Sequence, residues 1–465
     1  RFIRRNDVAL PSSASASADK RYSLYVSKTR LTKEQTLIYE SWGFTGSPFQ
    51  TTSLPASALG EQLLVGRDSE LSTLMRRIAS PPKLATLEGL NGVGKTSVVN
   101  VACHKLFTQH MQVGSGPLYI PCRRIFQLNP DQELQSFIDD VLMEVAQTLI
   151  DRGAYIQRTH PELHTVAIDR WLNFAQLVSF QGGVFSVQAG YQSETNTSSG
   201  YERSGFRKAV AGILGQIFPD AQSGGVICTI DNLELLQSSD AARQHLEQLR
   251  DELLNMQGLR WVLCGALGIV YGIVASPRLE GYLHTPIEIG EISDRHAADI
   301  LRTRLTAFNS GASIPYLPLR PEDFARLYEL LRGNLRSVLS YADDYCQWIA
   351  DRAPPADDES KQRTFYEWLQ GLAANAHSAV RQELRPRAHQ VFQKAIEVGG
   401  VFSPSDYEDF EFNSVQAFRP SIRDLEAVGL LVSTQDDGDK RRKTIQITPK
   451  GWLVDFHLTR EAASQ

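Results

Sequence analysis

One short segment constrains this chain more than any other. The stretch Leu84-Ala85-Thr86-Leu87-Glu88 reads as a buried strand, and Gly89-Leu90-Asn91-Gly92-Val93-Gly94-Lys95-Thr96 follows it directly. A helix is predicted from Lys95 to about Phe107. Gly-x-x-x-x-Gly-Lys-Thr between a strand and a helix is a loop that cradles phosphate. Glycines let backbone N–H groups turn inward around phosphate oxygens, and the following helix points its positive end at the same charge. Lys95 supplies a mobile cation for the outer phosphates, and the Thr96 hydroxyl is placed to coordinate Mg²⁺. The expected cofactor-binding set is Gly89, Asn91, Gly92, Val93, Gly94, Lys95, Thr96 and Ser97, with ATP and Mg²⁺ as cofactors.

The complementary half lies far downstream, at Val226-Ile227-Cys228-Thr229-Ile230-Asp231-Asn232-Leu233-Glu234. The continuous apolar run 226–230 suits a strand buried on both faces. An acidic residue leaving such a strand holds the magnesium, so Asp231 joins Thr96 as the expected metal pair. Glu234 either orients the attacking water or is a solvated surface acid; Asn232 occupies the place where many ATPases of this build carry a carboxylate.

Strands at 84–88, 118–122, 226–230, 260–264 and 287–289 alternate with helical runs at 69–78, 133–149 and 241–254. That alternation predicts an α/β fold, a parallel sheet with helices on its faces. The expected organisation is an N-terminal arm (1–60, polar to about residue 30), a P-loop ATPase core (61–290), a helical lid (291–352), a linker and connecting helix (353–385) and a C-terminal winged helix-turn-helix domain (386–465). Residues 150–207 read as an insertion, with a strand or hairpin at 184–191. Ser293 and Pro321 mark expected helix starts in the lid.

The order of elements resembles AAA+ ATPases of the replication-initiator (origin-recognition) type, and the related STAND signalling ATPases. Val65-Gly66-Arg67-Asp68-Ser69-Glu70 is similar to the box that packs near the adenine there, which adds Arg67 to the nucleotide set. Trp261-Val262-Leu263-Cys264-Gly265 resembles the strand carrying the first sensor, although Cys264-Gly265-Ala266 departs from the usual polar residue. Gly333-Asn334-Leu335-Arg336 is similar to the second-sensor motif, and Arg278 lies where AAA+ proteins carry an arginine finger. The resemblance implies that Lys95, Asp231, Glu234, Arg278 and Arg336 share catalysis; the plainer alternative for both Arg278 and Arg336 is a surface or ion-pairing arginine.

Residues 386–458 resemble bacterial winged helices. Helices are expected at 387–398, from Ser403-Pro404 and up to Gly429, then two strands around the tip 436–442, with Thr448-Pro449-Lys450-Gly451 closing the unit. On double-stranded DNA, Gln416, Arg419 and Arg423 of the third helix would face bases or phosphates, and Lys440, Arg441 and Arg442 of the wing would meet phosphate. Against this stand Asp424, Glu426 and the kink expected at Pro420. A protein-contacting winged helix is the alternative.

Composition narrows the partners. The chain has 465 residues, 42% hydrophobic and 22% charged, with net charge −5. A mildly acidic chain meets nucleic acid only through a local patch. The apolar runs are strand-sized, so no membrane span is expected, and neither is a signal peptide. Five cysteines without CxxC spacing read as reduced, buried thiols in a cytoplasmic protein. His160 and His164 flank Pro161 with no third ligand near, so no metal site is expected there. Two functions follow, with a transcription regulator built on a nucleotide-sensing core as a weaker third. One is an ATP-hydrolysing switch that assembles with itself and acts on DNA. The other is a STAND-like signalling or scaffold ATPase, as in phage defence, with a separate effector protein.

Overall fold

The computed structural model describes residues 38–160 and 199–464, apart from 237–238, 267, 275, 312–313 and 436–442. The N-terminal lead-in, the strand or hairpin expected at 184–191 and the wing tip with Lys440, Arg441 and Arg442 lie outside the described residues.

Helices α1 (Ala58–Leu63) and α2 (Asp68–Ile78) lead into β1 (Ala85–Glu88). After the glycine loop come α3 (Lys95–Val113) and β2 (Leu118–Pro121), then α4 (Leu134–Asp151), α5 (Gly153–Thr159) and α6 (Ser199–Ile217). The core is completed by β3 (Gly224–Ile230), α7 (Ser239–Leu249), β4 (Leu259–Gly265), α8 (Ile269–Val274) and β5 (Ile287–Glu288). The five strands form one sheet in the order β2-β3-β4-β1-β5, every pairing parallel. The chain is therefore an α/β protein with a P-loop sheet. The described ends of the segment expected as an insertion are helical, and α6 carries residues 199–207 into the flank of the sheet. There Arg207 donates to Asp139 at 2.8 Å and to the Gln135 side chain at 2.8 Å, fixing α6 on α4.

Strand side chains alternate between two cores, as a pleat requires. Val226, Cys228 and Ile230 of β3 and Leu259, Trp261 and Leu263 of β4 pack against Val141 and Val145 of α4 and Leu214 of α6. Ile227, Val262 and Cys264 join Ala85 and Leu87 on the opposite face, against Leu74 of α2 and Val98 and Ala102 of α3. Helices thus cover both faces.

The lid comprises α9 (Ala297–Ala307), α10 (Pro321–Leu330) and α11 (Leu335–Ala350). Pro321 stands in the first turn of α10. Ser293 precedes a 3-10 turn, Asp294–His296, and makes no side-chain cap bond. The described arm packs on this lid. Phe49 stacks on Phe324 with ring centroids 6.5 Å apart. The Tyr39 and Ser47 hydroxyls both donate to one carboxylate oxygen of Asp343, at 2.6 and 2.7 Å.

Helix α12 (Asp358–Arg381), capped by Asp357, joins the lid to the C-terminal unit. That unit runs α13 (Pro386–Glu397), β6 (Val401–Phe402), α14 (Val415–Ala427), β7 (Leu431–Gln435), β8 (Lys443–Ile447) and α15 (Pro449–Ser464), with an antiparallel sheet ordered β6-β8-β7. Two expectations are corrected. Ser403-Pro404 opens only a 3-10 turn, Pro404–Asp406. The following residues turn tightly so that Phe410 and Phe412 reach Phe418, at 4.8 and 4.9 Å between ring centroids; burying that aromatic cluster outweighs continuing a helix. Thr448-Pro449 does not close the unit but starts α15: the Thr448 hydroxyl accepts from the Gly451 N–H at 3.1 Å, with proline in the first turn. Pro420 lies inside α14, as the sequence requires. Lid, arm, α12 and the C-terminal unit share one continuous apolar core. Among the described residues, no helix is long and apolar enough to cross a membrane.

Because one carboxylate receives two hydroxyls of the arm, Asp343→Ala should destabilise the protein by about 1–3 kcal/mol, the cost of leaving buried donors unpaired. Amide exchange should accelerate first in residues 38–50; protection unchanged there would contradict the proposed anchoring.

Candidate nucleotide site

The loop leaving β1 is shaped by glycine. A Cβ at Gly89 would stand 2.3 Å from the Ile289 carbonyl oxygen, so β5 approaches too closely for any side chain. Gly92 has φ +87°, and a Cβ there would meet Asn334 and Arg336 of the lid at 3.3 and 3.4 Å. The loop therefore fits between the sheet edge and the start of α11 only as bare backbone. Gly94 takes the left-handed conformation at the N-terminus of α3, which directs that helix's first N–H groups into the cleft.

Lys95 is buried, and its ammonium donates to the loop carbonyls of Gly89 at 2.8 Å and Leu90 at 3.2 Å. It thus lies across the loop mouth. The Thr96 hydroxyl donates to the Asp231 carboxylate at 2.6 Å across 135 residues of sequence. The other Asp231 oxygen accepts from the Asn232 N–H at 2.9 Å, and Asn232 adopts φ +57° as the chain leaves β3. A hydroxyl beside a buried carboxylate is a hard-oxygen donor pair of the kind Mg²⁺ takes.

Arg67 supports the loop from beneath. Its buried guanidinium donates to the Val93 carbonyl at 3.1 Å and to that of Gly290, and pairs with Glu70 at 2.9 Å. The cleft above is lined by Leu54, Leu63, Val65, Ile292, Ile300 and Leu339, with Asn91, Ser97 and Arg336 at its polar rim. An apolar slot opening onto a phosphate loop suits a nucleotide base. The Ser97 hydroxyl accepts from the Leu54 N–H at 3.0 Å, tying the arm to α3.

Arg336, in the first turn of α11, lines this cleft and is exposed, with no hydrogen bond or ion pair among the described residues. Arg278 does not line it. Its side chain is 75% exposed and lies 3.5 Å from Glu247. Glu234 accepts from the Ala266 N–H at 2.9 Å, so its carboxylate points to the end of β4. At the expected first sensor, burial pushes the Cys264 thiol well above its ordinary range, with the Asp231 charge adding to the effect. Gly265 offers no side chain, and one there would strike Val270 at 2.8 Å.

In the C-terminal unit, Gln416, Arg419 and Arg423 share the exposed face of α14, while Phe418, Ile422 and Leu425 are buried. The acids beside them are engaged within the chain: Asp424 lies 3.8 Å from Arg385, and Glu426 accepts from the Ser433 hydroxyl.

No protein-family model matches this chain, and no curated protein matches it. Solved structures do. The Aeropyrum pernix ORC1 protein in complex with DNA aligns with 87% of this chain and 96% of its own, at 16% identity and TM-score 0.41. The Aeropyrum pernix ORC2 protein, in ADPNP-ADP complexes, covers 90% of this chain and 98% of its own, at 11% identity and TM-score 0.43. Drosophila ORC bound to DNA covers 98% and 96%, at 12% identity and TM-score 0.35.

Two residues of the site were not picked out from sequence. Arg304 of α9 is buried, donates to the Pro48 and Gln50 carbonyls at 2.9 and 3.2 Å, and lines the cleft. Burial pushes it down to about 10. The signal was present: Arg304 falls at helical spacing on the apolar face of Ala297, Ile300 and Leu301. Glu88, the last residue of β1, is buried and accepts from the Gly268 and Tyr271 N–H groups at 3.3 and 3.2 Å. Desolvation raises its carboxyl above the ordinary glutamate range, against those two bonds.

A raised folded-state value means that ionised Glu88 costs stability at pH above that value, and that the cost vanishes at pH below the unfolded value. Glu88→Gln keeps the acceptor oxygen and removes the charge. Its urea midpoint should exceed wild type at pH 7 and converge with it as pH falls below about 4. A midpoint difference independent of pH would contradict the desolvation.

Proposed function

We propose that this chain is an ATP-binding, slowly hydrolysing AAA+-like switch that assembles with other copies and contacts duplex DNA through its C-terminal unit. The observation that carries the proposal is the 2.6 Å contact between Thr96 and Asp231 beside the glycine turn.

ATP would lie with its base in the apolar slot and its phosphates over the N-terminus of α3, where unpaired N–H groups and the helix dipole favour anions. Lys95 would exchange the Gly89 and Leu90 carbonyls for phosphate oxygens. Thr96 and Asp231 would hold the magnesium, which when bound neutralises charge between the outer phosphates. Arg336, exposed at the lid edge, would offset charge developing on the transferred phosphoryl group. Arg278 lies outside this chain's own cleft, so it would act on the site of a neighbouring copy, making hydrolysis depend on assembly. Glu234 would orient water only after giving up the Ala266 N–H. Lys440, Arg441 and Arg442 would add further phosphate contacts.

Lys95→Ala should weaken ATP binding about 10- to 100-fold, as expected for losing charge-assisted bonds of about 1.5–3 kcal/mol; normal binding by calorimetry would contradict the site. Arg336→Ala should lower kcat by on the order of 10²-fold while ATP affinity changes little. An unchanged turnover in Glu234→Gln rejects that residue as the base. On duplex DNA, Arg419→Ala/Arg423→Ala should weaken binding and flatten the log–log salt slope by about 1.8, roughly 0.9 for each phosphate that is no longer neutralised. An unchanged slope would turn the reading toward a protein partner.

A further inference from the structure

A second cluster of ligating side chains lies outside the nucleotide cleft, where α12 packs along α15. His377 is on α12; His457 and Glu461 are one turn apart on α15. Each offers a ligand atom, and these atoms all lie within 4.8 Å of one another. The two imidazole rings face each other with centroids 4.7 Å apart and planes tilted by 37°. His457 Nε2 is 3.3 Å from a Glu461 oxygen. Both histidines are half-buried and Glu461 is exposed, so the cluster opens onto a cleft between the helices.

We propose that His377, His457 and Glu461 bind one divalent transition-metal ion of the zinc class, stapling the C-terminal helix to the connecting helix. Two imidazole nitrogens and one carboxylate oxygen form a set that zinc accepts with water in the fourth position. Ligand atoms of a tetrahedral site with bonds of about 2.0–2.1 Å stand roughly 3.3 Å apart. The His457–Glu461 separation already matches, and His377 needs only a side-chain adjustment. Imidazole donors disfavour magnesium and calcium, which take oxygen. The ion is therefore chemically distinct from the one proposed at Thr96 and Asp231.

Two arginines line the same cleft, Arg381 and Arg460. Arg460 is held aside: with the Gln370 amide turned so that its oxygen faces the guanidinium, that oxygen accepts from both terminal nitrogens at 2.6 and 2.9 Å. Glu461 supplies the negative charge that offsets the incoming cation. The two ligating helices are the connecting helix and the last helix of the C-terminal unit. The ion would act on the seating of α15, and through it on Trp452, which lies under the guanidinium of lid residue Arg332 at 4.7 Å.

The test uses the full chain, stripped with chelator and titrated with Co²⁺ as a spectroscopic probe, then with Zn²⁺. One equivalent of Co²⁺ should bind, give the intense visible bands of a four-coordinate nitrogen–oxygen site, and be displaced by one equivalent of Zn²⁺. Zn²⁺ should also raise the Tm. His377→Ala and His457→Ala should each weaken binding at least about tenfold and abolish the Tm rise, as expected on losing a ligand. His377→Asn and His457→Asn, closer in shape, serve where an alanine variant fails to fold. Asp231→Asn should retain the bands, which separates this site from the phosphate site. The proposal is overturned if no stoichiometric binding occurs. Equal binding by the histidine variants, or a thiolate-to-cobalt charge-transfer band that shifts the ion to the cysteines, would overturn it as well.

Discussion

The hydrogen bond between Thr96 and Asp231 depends on how three strands are ordered. Thr96 follows β1 and Asp231 follows β3, and β4 runs between them. Two strand spacings amount to roughly 9–10 Å, a gap the two short side chains close only above the end of the middle strand. That end is Cys264-Gly265. The Cys264 thiol is buried in one face of the sheet, and a side chain at Gly265 would strike Val270 of α8 on the other.

The lid is tied to the phosphate loop from two directions. From above, Asn334 and Arg336 close over Gly92, whose φ of +87° is one that side chains rarely adopt. From the side, the arm crosses from the lid to α3: Asp343 and Arg304 hold residues 39–50, and Leu54 bonds to Ser97 and Asn100. Arg304 holds this strap with main-chain carbonyls alone, a costly way to bury a cation, so the strap stays where those carbonyls are. The lid shares its apolar core with α12 and the C-terminal unit.

Much of this was legible because it depends on local chemistry. The glycine spacing, the apolar run ending in Asp231 and the strand–helix alternation each report a backbone requirement that neighbours in sequence satisfy. Less legible were features decided by distant partners. Arg304 reads as one more charged residue until its helix is seen to bury that face. Glu88 reads as the polar end of a strand, yet its oxygen caps the start of α8, 180 residues away. The turn at Pro404–Asp406 carries a helix-starting signature that the aromatic cluster of Phe402, Phe410, Phe412 and Phe418 overrides.

By itself the sequence determined the elements and the chemistry each could offer: a loop that must be glycine, a lysine and threonine opening a helix, an aspartate leaving a buried strand. These are properties of short segments, set by backbone freedom and side-chain type. Only the tertiary structure decided which of those groups meet. Strand order placed Thr96 against Asp231 and turned Glu234 toward β4, the fold left Arg278 outside the cleft, and the packing of α12 along α15 brought His377 beside His457. Such encounters join residues far apart in the chain, and they follow from how apolar faces pack, which no short stretch encodes.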